Sequence, residues 1–250
     1  MADPGAVPES VLVVAAHPDD IEFACAGTLA LWARGGSRLR YVLCTSGAAG
    51  VDDPAISPER AVEIRESEQR AAAAVLGAEV EFLGEPDGLL QPTLELRRRL
   101  VREIRRFCPE VVVCGDPSLI WMGPSFLNHP DHRAAATAAL EAAWPAAGQR
   151  NLYPEMDCEG LALHRPRRIY VSGWVVPGAD CWVDIGETLE IKLQALRCHA
   201  SQMAGSDPGP FIRNWAAGNA QGRGMDYAEC FRVVTLVPDE LWARTRGRRG

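Results

Sequence analysis

The sequence has no basic excess, no paired-cysteine motif and no long apolar run, and each absence excludes a class of protein. With 26 Lys and Arg against 33 Asp and Glu, a net charge of −7 and pI ≈ 5.3, the chain lacks the positive field a general nucleic-acid binder needs. The eight cysteines stand singly at 25, 44, 108, 114, 158, 181, 198 and 230. None forms C-x-x-C, and several fall in apolar runs where a thiol packs as a small hydrophobe. They read as reduced, as in the cytosol. No 18-residue apolar run occurs, and "MADPGAVPES" has neither the basic nor the apolar region of a signal peptide. The expectation is a cytoplasmic protein with neither nucleic acid nor membrane as partner. Internal repeats and low-complexity linkers are also missing. The 250 residues suffice for a sizeable core and are read as one domain spanning 1–250.

What is present is an alternation of strand and helix signals. "SVLVVAA" (10–16) reads as a strand buried on both faces, and a helix is expected around Thr28–Arg34, ended by Gly35-Gly36. "RLRYVLCT" (38–45) is the next strand. Residues 57–77 come next as a helix with Ser57 as cap, Pro58 at its first position and Gly77 at its end. "EVEFLG" (79–84) is a strand, 93–107 a helix with Leu96, Leu100, Ile104 and Phe107 at helical spacing, and "EVVVCGD" (110–116) a fourth strand. Later strands are expected at "RRIYVSGW" (167–174) and "CWVDIG" (181–186), a helix at 187–199, and a long loop at 203–226. The arginines of 96–107 read as a solvated face and the tail 244–250 as a frayed end. Strands alternating with helices imply an α/β fold, a Rossmann-like three-layer α/β/α arrangement around a mostly parallel sheet. Ligands bind such sheets at the carboxyl ends of the strands. The first turn holds His-Pro-Asp-Asp where a dinucleotide fold would need G-x-G-x-x-G, so a nucleotide reading fails.

Two tetrapeptides carry the chemistry. His17-Pro18-Asp19-Asp20 ends the first strand, and His129-Pro130-Asp131-His132 comes after the fourth and opens a helix with Pro130 at its first position. Either alone reads equally as a polar turn or a helix start. Together, on one rim of the sheet, they point to a metal. Carboxylates at a buried strand end are costly unless paired or bound to a cation. His17 and Asp20 can reach one ion from a tight loop, and His132 can complete an open three-ligand site of the kind that binds Zn2+. Fe2+, Co2+ and Mn2+ also suit this donor set. Asp19 is then free as general base, His129 can stabilise an oxyanion, and Asp131 can orient or charge-balance His129. His199 is a further polar candidate, either a helix-end cap or a group on the substrate side. His164 has no evident partner and reads as surface. Trp121, Met122 and Phe126, in the loop before His129, are candidate pocket walls.

His17-Pro-Asp-Asp20, Glu22, Gly27-Thr28-Leu29, "TSGAAG" (45–50), Arg65-Glu-Ser-Glu68, Asp87-Gly88 and His129-Pro-Asp-His132 resemble the PIG-L/LmbE-like deacetylases. The resemblance covers about residues 11–145, with an echo in "KLQALRCHASQ" (192–202). It implies the LmbE-like fold and a zinc-dependent hydrolase that removes an N-acyl group, typically acetyl, from an N-acetylglucosamine-containing small molecule or glycoconjugate. It likewise implies His17, Asp20 and His132 as ligands, Asp19 as base, His129 at the oxyanion, and Arg65 and Asp87 on sugar hydroxyls. Ala24 and Ala26 stand where relatives often have glycine, and "TSGAAG" lacks the acidic residue often found before its last glycine. An amidase acting on a thiol conjugate or an acylated natural product is the nearer alternative, and a non-catalytic carbohydrate-binding protein the farther one. A homo-oligomer is left open.

Overall fold

In the computed structural model, which describes residues 6–203 and 205–246, the run SVLVVA forms β1 (Ser10–Ala15), buried along its whole length. Its side chains divide between two apolar layers. Val11, Val13 and Ala15 enter one, and Leu12, Val14 and the adjoining Ala16 the other, the alternation a strand covered on both faces requires. Along the chain come α1 (Asp20–Arg34), β2 (Arg38–Thr45), α2 (Pro58–Leu76), β3 (Glu79–Glu85), α3 (Leu94–Phe107), β4 (Val111–Cys114) and α4 (Pro130–Ala143). After these stand α5 (Glu155–Cys158), β5 (Arg168–Val171), β6 (Cys181–Asp184), α6 (Leu189–Arg197), α7 (Gly209–Ala220), β7 (Ala228–Thr235) and α8 (Asp239–Arg246).

The strands form one seven-stranded sheet in the order β3-β2-β1-β4-β5-β7-β6. The first five are parallel, and β7 runs antiparallel between β5 and β6. Leu29 and Trp32 of α1, Ala72 of α2, Leu193 of α6 and Ile212 of α7 pack on one face, and Leu96 and Leu100 of α3 with Ala135 and Ala138 of α4 on the other. The sheet is thus mostly parallel and sandwiched between helices. β1 lies between β2 and β4, so chain direction reverses there, and the crevice at such a switch point is where open α/β sheets bind ligands. The two tetrapeptides flank it.

Several elements depart from the sequence reading. α1 begins at Asp20, well before Thr28, because Asp19 serves as its N-cap. The stretch 203–226 holds a twelve-residue helix, α7, with Pro210 in its first turn and Ile212, Ala216 and Ala220 buried one turn apart; its glycines and asparagines masked that stripe. β7 was not foreseen. Arg105, expected on a solvated face, is buried and donates to the carbonyls of Ala147 and Gln149. His164 is buried too, with Nε2 2.7 Å from the Pro109 carbonyl. Residues 247–250 of the basic tail lie outside the described residues. All eight cysteines are free. Among the described residues no helix is long and apolar enough to cross a membrane.

Candidate active site

His17 stands where β1 runs out, and the next three residues make a tight turn into α1. The Asp20 carboxylate closes that turn by accepting the His17 N–H at 2.9 Å. Asp19 takes φ 84°, a left-handed conformation that costs a non-glycine residue about 1–3 kcal/mol and persists only where surroundings enforce it. The surroundings here are specific. The Asp19 N–H donates to Gln69 Oε1 (3.1 Å), and Arg65 of α2 donates to the Pro18 carbonyl (2.7 Å) and to Asp19 Oδ2 (3.1 Å). Gly47 of the "TSGAAG" loop sits against this turn with φ 67°. A Cβ there would lie 2.9 Å from Pro18 Cδ and 3.0 Å from the Arg65 guanidinium, so only glycine fits.

Asp20 is the centre of the cluster. Its Oδ1 is 3.0 Å from His132 Nε2 and its Oδ2 3.6 Å from His17 Nδ1. The nearest donor atoms of His17, Asp20 and His132 all lie within 4.8 Å of one another, and His17, His129 and Asp131 form a second such group. The far nitrogens of both imidazoles are anchored. His17 Nε2 faces Asp87 Oδ1 (3.1 Å) and Asp131 Oδ2 (3.3 Å). His132 Nδ1 faces Asn128 Oδ1 (3.1 Å), whose amide donates in turn to the Leu119 carbonyl. Partners of that kind place the ring proton on the far nitrogen and leave the near lone pair for a cation. Two imidazoles and one carboxylate, oriented in this way, are a donor set for a divalent metal. In the second group, Asp131 already accepts from the backbone N–H groups of Gly88 (2.7 Å) and Leu90 (3.2 Å), which makes it the poorer ligand.

Charge follows geometry. Burial alone would lower the His17 pKa, but hydrogen bonds and charge from Asp20 and Asp87 outweigh it and push the group up to about 10. His132 is raised in the same way: burial opposes it, and the Asp20 charge prevails. For Asp20 burial is overcome by His132 and His17, which hold the carboxyl far below its ordinary range. Asp19 goes the other way. Burial and the Asp20 charge push it up to about 6, against the pull of Arg65 and His199. His129 is lowered by burial and by the neighbouring His17 and His132. The three rings cluster, with His17 4.9 Å from His129 and 5.1 Å from His132 between centroids.

The structure brings eight of the nine sequence candidates, all but His199, to this turn and changes what several of them touch. Asp131 was expected to orient His129. Its carboxylate is directed at His17, and its contact to the His129 ring is its own backbone N–H donating to Nδ1 at 3.2 Å. Asp87, expected on a sugar hydroxyl, is occupied by His17, the Thr45 hydroxyl (3.3 Å) and the Ala49 N–H (2.8 Å). His17 outweighs the burial of Asp87 and holds its carboxyl below its ordinary range. Arg65, expected on a sugar hydroxyl, is buried and paired with Asp19. His199, read from the sequence as either a helix-end cap or a group on the substrate side, is fully buried, 3.3 Å from Glu22. Sequence reasoning missed Asn128, Gln69 and the role of Glu22. The available signal was a carboxylate and an amide on inward helical stripes: Glu22 with Cys25 and Leu29, and Gln69 with Arg65 and Leu76. Beside Asp20 and His132 a cavity of ≈ 80 Å³ opens, walled by Ala24, Cys25, Cys114, Ala136, Met122 and Trp174. Of the three loop residues proposed as walls, only Met122 lines it; Trp121 and Phe126 are largely exposed.

A family model described as PIG-L, GlcNAc-PI de-N-acetylase, matches residues 12–143. The chain belongs to the PIG-L family of N-deacetylases. It is 31% identical to the diacetylchitobiose deacetylase of Thermococcus kodakarensis, over 90% of this chain and 83% of that one. It is 29% identical to a 1D-myo-inositol 2-acetamido-2-deoxy-alpha-D-glucopyranoside deacetylase of Saccharomonospora viridis, over 77% of this chain and 85% of the relative. Among solved structures, the N,N'-diacetylchitobiose deacetylase of Pyrococcus horikoshii superposes with a TM-score of 0.83 at 27% identity, covering 93% of this chain and 88% of that one. For this PIG-L chain the matched region runs from β1 to the end of α4. It therefore contains both tetrapeptides.

Proposed function

We propose that the protein hydrolyses the N-acetyl amide of a small N-acetylglucosamine-containing molecule, with Zn2+ held by His17, Asp20 and His132. The observation that carries this reading is the convergence of those three donors on one point beside Asp19, a carboxylate held at a pKa of about 6 and so suited to trade a proton near neutral pH. A divalent cation in that site supplies acidification of a water and polarisation of the acyl carbonyl. Asp19 accepts the water's proton and later delivers it to the leaving amine nitrogen. Arg65 holds the Asp19 carboxylate in place for both transfers. Because His129 Nδ1 accepts the Asp131 N–H, its proton resides on Nε2, and the neutral ring serves as donor to the developing oxyanion. A protonated imidazole is not required. Asp87 and Asp131 act on His17 and so on the metal site. The products are acetate and a free amine. The named relatives, deacetylases of diacetylchitobiose and of 1D-myo-inositol 2-acetamido-2-deoxy-alpha-D-glucopyranoside, support an N-acetylated amino-sugar substrate. A non-catalytic carbohydrate-binding module would require a missing ligand or base, and every such residue is present.

The test is metal analysis of the purified protein, then acetate release from N-acetylglucosamine conjugates with and without chelator. Stoichiometric metal and chelator-sensitive release are expected. A protein that binds no divalent metal, or releases acetate equally well without it, would overturn the reading.

A further inference from the structure

Behind Asp19 lies a group of buried polar side chains that the hydrolytic scheme does not use. Glu22, Gln69 and His199 are each 0% exposed. Glu22 Oε1 accepts a hydrogen bond from Gln69 Nε2 at 2.9 Å, and Gln69 Oε1 accepts the Asp19 N–H at 3.1 Å. The second oxygen of Glu22 is 3.3 Å from His199 Nε2. Neither of those atoms meets hydrogen-bond geometry, so the pair is a close buried contact. Ser201 and Gln202 fix the backbone beside His199. Ser201 donates from its N–H (2.7 Å) and hydroxyl (2.6 Å) to Glu68 of α2, and Gln202 donates to the Gly50 carbonyl at 3.2 Å.

An amide group can face a neighbour with its oxygen or its NH₂, and the two orientations differ only in what they meet. A carboxylate only accepts, so Glu22 turns the Gln69 NH₂ toward itself and the oxygen toward Asp19. The flipped amide would set two donors against each other at the Asp19 N–H. Asp19 is the residue whose left-handed backbone needs such a hold.

We propose that Glu22, anchored by His199 and acting through Gln69, is the positioning residue for Asp19, fixing the amide whose oxygen holds that residue in its left-handed turn beside Arg65 and the metal ligands. This rests on the reading of Asp19 as the proton acceptor. None of the three touches substrate.

The test uses metal-loaded enzyme and an N-acetylglucosamine conjugate, comparing Glu22→Ala, Glu22→Gln, Gln69→Ala, Glu22→Ala with Gln69→Ala, and His199→Gln. Glu110→Gln, a buried carboxylate at the amino end of the sheet, is the structural control. Because small misplacements of a reacting group are costly, Glu22→Ala and Gln69→Ala should each lower kcat by about 10- to 100-fold with KM and metal content within about twofold. The double variant should lose no more than either single, since both remove one hydrogen-bonded unit. Glu22→Gln, which keeps an acceptor, should recover most of kcat, and His199→Gln should fall between. Glu110→Gln should lower Tm and leave kcat unchanged. Single losses that multiply in the double variant, an unchanged kcat in Glu22→Ala and Gln69→Ala, or an equal kcat loss in Glu110→Gln would overturn the inference. If Glu22→Ala does not fold, Gln69→Ala against Glu22→Gln decides it. Asp19→Asn is assayed in parallel. Its survival would overturn the role of Asp19 itself, whereas an inactive Asp19→Asn beside fully active Gln69→Ala and Glu22→Gln would overturn the positioning role alone.

Discussion

At Asp20 two imidazoles meet one carboxylate, and each ring is turned by a partner on its far side. Replacing His132 with Ala should abolish stoichiometric metal binding while leaving the fold intact, measured by elemental analysis and circular dichroism; full metal retention would contradict its place as a ligand. Asp19→Asn keeps the shape of the side chain but cannot take a proton, and should lower kcat by about 10²- to 10⁴-fold with metal still bound. Proton linkage gives a third expectation. His17 in the metal-free protein is raised from 6.5 to about 10, so its stabilising charge is fully present below about 6.5 and is lost as pH rises through about 10. Metal binding needs the same imidazoles unprotonated and therefore strengthens over that window. The gap in Tm between metal-loaded and metal-free protein should widen from pH 6.5 toward about 10, and a gap that narrows would contradict the assignment. The two His-Pro-Asp tetrapeptides were legible because their turn chemistry is local. Asn128, Gln69 and Glu22 were not identified as supports, because a residue that backs a ligand is defined only by what the fold sets opposite it.

Among the elements, α1 shows how sequence and packing divide the work. Its Gly27-Thr28 segment is crossed by other elements: Glu229 of β7 accepts both N–H groups at 3.0 and 2.7 Å, and the Thr188 hydroxyl donates to the Gly27 carbonyl at 2.7 Å. A Cβ on Gly27 would lie 2.9 Å from Ile185, a fully buried side chain just after β6. Gly27→Ala should therefore destabilise the protein by about 1–3 kcal/mol through overpacking, despite the better helix propensity of alanine. Chemical denaturation checks this, and an unchanged or raised stability would show that Ile185 yields freely. Ala24 and Cys25 line the cavity while Ala26 is buried, so the Ala-Cys-Ala run is wall and core. The parallel strands were readable as apolar runs bounded by turns. α7 and β7 were not: in α7 the buried stripe consists mainly of alanine, and the edge partners of β7 lie far away in sequence.

Across the whole molecule, the sequence's single lysine joins the two ends of the chain. Lys192 of α6 is 1% exposed and donates to Glu229 and to the Phe23 carbonyl, each at 2.6 Å. Removing one partner of a buried pair leaves an uncompensated charge, so Lys192→Met should cost about 3–5 kcal/mol, with part of that recovered when Glu229→Gln is added. Two additive losses in thermal unfolding would contradict a coupled pair. The same segment carries His199, Ser201 and Gln202 to the site, which accounts for the "KLQALRCHASQ" echo so far from the tetrapeptides. The sequence by itself determined the alternation of strands and helices, the mostly parallel sheet and the two His-Pro-Asp tetrapeptides, because hydrophobic period and turn chemistry act over a few residues. Only the tertiary structure decided that Arg65 and His199 are buried, that the Asp87 and Asp131 carboxylates meet His17, and that Glu22 and Gln69 stand behind Asp19. Those roles depend on which carboxylate meets which donor across more than 40 residues of chain, a pairing that no local pattern encodes.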